Sequence, residues 1–232
     1  MKKKIAKSKG HAENLLEAYI WLRAKFAVAE PLFIDSSSSP KLAAIYHLPA
    51  LNIMRHMLYC DCALDVVKLS SDNDRRTPSI SNMIKALLIP EVCSCFRCAY
   101  AQRRPAIDCS DQNAREIAEN LKRRQEKRLL AEYDRTWENL QRQWDEFCSR
   151  PWLRSFEMLR NKYIAHLELR PREEEYEIID FAKMGLKIED LREALDDMKG
   201  MILNLNRLIR IASYPMDEKI KQLNRIAREI WK

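Results

Sequence analysis

Glycine is nearly missing from this chain. There are 3 in 232 residues, where average usage of about 7 % predicts roughly 16. Parallel α/β folds, β-sandwiches and phosphate-cradling loops need glycine for positive-φ turns and close backbone approach. The shortage excludes most nucleotide loops and leaves an all-α fold as the expectation. Long apolar runs are also missing, since no stretch approaches the ~20 residues of a membrane span. The opening MKKKIAKSKG is basic, with no apolar segment behind it, so a signal peptide is not expected and the cytoplasm is the default. Cysteine is not scarce. Seven are present, an odd number that fits reduced thiols better than a complete disulfide set.

What is present is helical periodicity. Residues 1–10 read as a basic tail, and 11–232 as one helical domain of five to seven helices. Leu15, Tyr19, Leu22 and Phe26 set a period ending at Pro31. A long helix is expected over 41–69, kinked or split at Pro49. Thr77-Pro78-Ser79-Ile80 opens a short helix that Pro90 closes, and 91–110 read as an irregular cysteine-rich insertion. Further helices are expected over about 111–147, from Pro151 to before Pro171, over 188–211, and after Pro215. No internal repeat appears. The net charge of +7 favours polyanionic partners.

The segment Leu159-Arg160-Asn161-Lys162-Tyr163-Ile164-Ala165-His166 concentrates chemistry on an otherwise apolar helix. Arg160 and His166 fall ~120° apart around the axis and ~9 Å apart along it. Burying an unpaired arginine is costly, so this edge is expected to face a cleft or a partner. Histidine with arginine suffices for RNA cleavage without a metal or other cofactor. The 2′-hydroxyl is an internal nucleophile, histidine moves protons near neutrality, and arginine neutralises the charged phosphorane. Spacing alone leaves open a core or interface histidine beside a surface arginine.

The string RNKYIAH resembles the signature of the HEPN superfamily. The segments Val67-Lys68-Leu69-Ser70-Ser71-Asp72 and Arg75 to Asn82 resemble the abortive-infection (Abi) U-type branch. The resemblance spans roughly 40–210. It implies a helical bundle that dimerises so that two motif helices meet, each supplying one Arg and one His to a shared RNA-cleaving cleft. Arg160 and His166 would then be catalytic and Asn161 would orient the pair or the phosphate. Lys162 and Tyr163, at variable positions, would be RNA contacts at most. In a related toxin branch a tyrosine two residues after the histidine is nucleotidylated by a partner enzyme. Here Glu168 stands at that position, and this control is not expected.

Two other patterns carry less. Cys93, Cys95 and Cys98, with Cys60, Cys62 and Cys109 elsewhere, are candidate metal ligands by residue type. Their C-x-C-x-x-C spacing lacks the paired C-x-x-C of zinc sites, so no metal is expected. The strings Lys122-Arg123-Arg124 and Lys127-Arg128 sit among glutamates, as a solvated helix face would. The reading is a metal-independent HEPN endoribonuclease acting as a toxin or effector in phage defence. A non-catalytic helical RNA- or protein-binding module, or a regulator held by a partner protein such as an antitoxin, stays open beside it.

Overall fold

In the computed structural model the described residues are 1–33, 49–103, 112–167 and 185–231, with 49, 52, 112–116 and 162–167 described as helical backbone only. Eight α-helices and no strands occur among them: α1 Lys2–Ala29, α2 Pro49–Ser71, α3 Ile80–Leu87, α4 Pro90–Ala101, α5 Gln112–Ser149, α6 Pro151–Leu167, α7 Ile188–Ile209 and α8 Met216–Ile230. A 3₁₀ turn, Glu30–Leu32, closes α1.

α7 is the central element. Leu191, Leu195, Met198, Ile202, Leu205 and Leu208 are buried at helical spacing. Each such side chain stabilises the fold by about 1.5–3 kcal/mol when fully removed from water. α1 lies against α7, α2 and α8, α5 against α4 and α7, and α6 against α2. Tyr19 and Asn206 show how polar groups inside the bundle are matched. Tyr19 of α1 donates its buried hydroxyl to the Leu195 carbonyl at 2.7 Å. The Asn206 amide of α7 donates to the Ala12 carbonyl at 3.3 Å and the Ile202 carbonyl at 3.0 Å. α5 and α7 run antiparallel, since Gln143 meets Asn204 whereas Arg150 meets Asp197.

The expected all-α bundle is present, with two corrections. Residues 1–10 are not a tail, because α1 begins at Lys2. Lysine and alanine are good helix formers, Ser8 is buried on the face that continues through Ala12 and Leu15, and Lys7 Nζ donates to the Arg75 carbonyl at 2.7 Å. Pro49 is the first described residue of α2, and 41–48, where the expected helix would begin before its kink or split at Pro49, lie outside the described residues. Residues 91–101 are not irregular but form α4, with Pro90 at its first position and Val92, Phe96 and Tyr100 buried at four-residue intervals. With that helix the described residues hold eight, one more than the five to seven expected. Residues 104–111, including Pro105 and Cys109, lie outside the described residues.

Candidate functional site

α6 starts at Pro151 directly after α5 and runs unbroken to Leu167. Its inner face is fixed by Trp152, Leu153, Phe156 and Leu159, all buried. Phe156 lies edge-on to Tyr59 of α2, ring centroids 6.3 Å apart, and Trp152 packs against both Phe147 and Phe156. The Trp152 indole N–H donates to Glu193 of α7 at 3.0 Å. This seam holds α6 in register and leaves Arg154, Met158 and Asn161 exposed on its outer face.

Arg160 stands half-buried between the two faces. Its Nε and Nη2 both donate to the Asn161 amide oxygen at 3.3 Å, and it forms no ion pair among the described residues. A neutral acceptor thus orients the guanidinium without cancelling its charge. Lys162, Tyr163 and His166 lie on the same continuous helix, and their side chains are outside the described residues. The six-residue step from Arg160 to His166 on one axis is ~9 Å. A family model described as AbiU2, of HEPN type, matches residues 5–230. The chain belongs to the AbiU2 family of abortive-infection HEPN proteins. No curated protein and no solved structure matches it.

In this AbiU2-family chain the residues around Asp72 build a corner between α2 and α3. Asp72 Oδ1 accepts from the Asp74 N–H and Asp74 Oδ1 from the Arg76 N–H, both at 2.9 Å. Buried Ser79 caps α3 by accepting from the Asn82 N–H at 3.2 Å, and donates its hydroxyl to the Asp72 carbonyl at 2.7 Å. Asn82 Nδ2 closes the loop on the Asp74 and Thr77 carbonyls. Every polar group named here has a partner within the corner, which explains Ser and Asn at those positions structurally.

Among the described residues of this AbiU2-family chain the cysteines do not converge. On α4, Cys93 and Cys95 point ~160° apart, and Cys98 lies ~60° from Cys95. Cys93 Sγ sits 3.8 Å from the Tyr133 hydroxyl, while Cys95 and Cys98 are exposed. Cys60 and Cys62 are buried in α2, and that burial pushes their thiols up to about 11 and about 12. Thiols so shifted stay protonated and are poor ligands and nucleophiles. Among the described residues no three His, Cys, Asp or Glu side chains are gathered as a metal site requires, and Cys109 lies outside them. No described helix is long and apolar enough to cross a membrane.

A polar cluster that the sequence strings do not announce joins α4, α5 and α7 of this AbiU2-family chain. Glu132 accepts from the Tyr100 hydroxyl at 2.7 Å, from Arg103 at 3.2 Å, and from Arg207. Arg207 Nε also donates to the Tyr100 oxygen at 3.1 Å, and the Arg103 guanidinium lies 4.2 Å over the Tyr100 ring. The Tyr100 hydroxyl first, then the two arginines, hold the Glu132 carboxyl below its ordinary range. Arg207 is 75 residues from Glu132 along the chain, so no local spacing signals the pair.

Proposed function

We propose that this chain is a metal-independent endoribonuclease, the toxic effector of an abortive-infection or toxin–antitoxin system. The observation that carries the reading is Arg160, oriented by a neutral amide, on one unbroken helix with His166 in an AbiU2-family chain. In this reading His166 removes the proton from a 2′-hydroxyl. The 2′-oxygen then attacks the adjacent phosphorus, and the bond from phosphorus to the 5′-oxygen breaks. The 5′-oxygen leaves with a proton from a second histidine, supplied by a second copy of the chain. Arg160 neutralises the charge that develops on the equatorial phosphate oxygens. The products are a 2′,3′-cyclic phosphate and a 5′-hydroxyl. Lys162 and Tyr163, on the same helix, take RNA contacts. Exposed Met158 on α6, and exposed Ile53, Met54 and Met57 on the adjacent α2, support a homodimer, because a second copy would remove this apolar surface from water.

The test is cleavage of single-stranded RNA by the purified chain in EDTA, with the ends identified. Cyclic phosphate termini are expected, and His166→Ala and Arg160→Ala are each expected to lower the rate by about 10²–10⁴-fold. Absence of cleavage, with His166→Ala as toxic in cells as the natural chain, overturns the proposal and leaves a binding module or regulator.

A further inference from the structure

Arg124, Arg128, Arg135 and Arg142 of α5 are all exposed. At ~100° per residue they fall within about 40° of one line, ~27 Å long at 1.5 Å per residue. None of the four forms an ion pair among the described residues. Arg135 Nε turns back to the Ala131 carbonyl at 3.2 Å and Arg142 donates to Asn139 at 2.7 Å, both neutral acceptors.

Apart from Glu146, the described acids of α5 lie to the sides of this line or opposite it, with Glu138, Asp145 and Glu146 within one turn of Arg142. Glu119 and Glu126 lie on nearly the opposite side, and Glu138 and Asp145 about 60–80° off. Asp134 is engaged by Arg97 at 2.7 Å, and Glu132 by Arg103 and Arg207. Glu146 is the one acid on the line, at its C-terminal end. Arg124 and Arg128, at i and i+4 on an exposed helix, repel one another, so that end of the line is mildly destabilising while nothing covers it. Beside it, Glu132, Thr136 and Asn139 of α5 and Asn204 and Arg207 of α7 line an open groove of about 370 Å³, with Arg135 on its rim.

We infer that this line and groove form a track for the phosphodiester backbone of RNA, on a different helix from Arg160 and His166. The inference rests on the proposed function for its choice of RNA, and not on the cleavage chemistry. Guanidinium forks suit phosphate oxygens, and the side-chain amides of Asn139 and Asn204 supply neutral donors of the kind found at phosphate and sugar contacts, while the Thr136 hydroxyl is held by the Glu132 carbonyl at 2.8 Å. Between Arg124 and Arg142 the apolar side chain on the line is Ala131, too small to anchor an amphipathic peptide. Ile117 and Leu121 are exposed on its N-terminal continuation, where an acidic peptide would seat instead.

The test is fluorescence anisotropy of a labelled, unstructured RNA of about 25 nucleotides over a salt series. The full chain carries His166→Ala so that the RNA stays intact. Replacing Arg128, Arg135 and Arg142 together by Gln is expected to weaken binding at least about tenfold at low salt. The slope of log affinity against log salt should fall by about 2, from ~0.7 for each of three phosphates lost. A control triple on α8, Lys221→Gln, Arg225→Gln and Arg228→Gln, removes the same charge from exposed positions and should leave the slope nearly unchanged. The Arg→Lys triple on α5 should retain most of the slope. Unchanged RNA binding in the α5 Gln triple overturns the track, even if that triple loses polyglutamate. Equal losses in the α5 and α8 triples overturn it too. A natural chain that binds through the track and does not cut disproves the ribonuclease alone. One that cuts with an unchanged slope disproves the track alone.

Discussion

The Nε and Nη2 atoms of Arg160 share one acceptor, the amide oxygen of Asn161. Asparagine and aspartate offer nearly the same oxygen geometry there, yet they differ in what they leave behind. An amide positions the guanidinium and preserves its charge. A carboxylate positions it and neutralises it, besides repelling an incoming phosphate. If Arg160 works by balancing phosphorane charge, Asn161→Ala should lower kcat about tenfold, a loss of ~1.4 kcal/mol in transition-state stabilisation, with KM little changed. Asn161→Asp should be worse than alanine, with kcat down about 100-fold and KM raised. Steady-state kinetics on one short RNA would decide between them. An Asp variant as active as the natural chain would make Asn161 a mere spacer.

At the scale of the helices, scarce glycine shows where a positive φ is required. Gly185, with φ +66°, sets up the approach to α7, whose start is closed by the Lys187 N–H donating to Asp190 at 2.8 Å. A Cβ at Gly185 would meet nothing within 4 Å, so its penalty is conformational alone. Gly185→Ala should destabilise by about 1 kcal/mol, and Gly185→Asn by less, because asparagine tolerates the left-handed region. Urea unfolding with an unchanged slope would show it. A fall of several kcal/mol would mean that something packs at this position. Ile211, φ +57°, ends α7 in the same backbone region without glycine. Periodicity made most helices legible, α7 most clearly: Leu191, Leu195, Met198, Ile202, Leu205 and Leu208 are all buried. α4 is not, since cysteines interrupt the simple apolar pattern of Val92, Phe96 and Tyr100. The family is legible because the Arg160–Asn161–His166 string that resembles its signature is local. The arginine line was not, because strings such as Lys122-Arg123-Arg124 scatter around the axis while Arg128, Arg135 and Arg142 recur every seven residues.

Taken as a whole the molecule carries +7, and its helices α4, α5 and α7 meet at one carboxylate. Glu132 is set against Arg103 and Arg207, and Tyr100 both donates to it and accepts from Arg207. Removing its charge leaves two arginines facing each other across the junction. Glu132→Gln is therefore expected to cost about 1–2 kcal/mol at pH 7, the range for hydrogen bonds to a charged group with some solvent screening. The sign with pH follows from the direction of its shift. A carboxyl held below its ordinary 4.5 binds protons more weakly in the folded chain than in the unfolded one. Its contribution is thus complete above pH 4.5 and is lost as pH falls through the folded value. The gap in unfolding free energy between the natural chain and Glu132→Gln should be widest near pH 7 and narrow steadily below 4.5. Thermal or urea unfolding at several pH values measures it. A gap that stays constant down to pH 3 would show that Glu132 holds the three helices by shape and hydrogen bonding, with its charge contributing nothing.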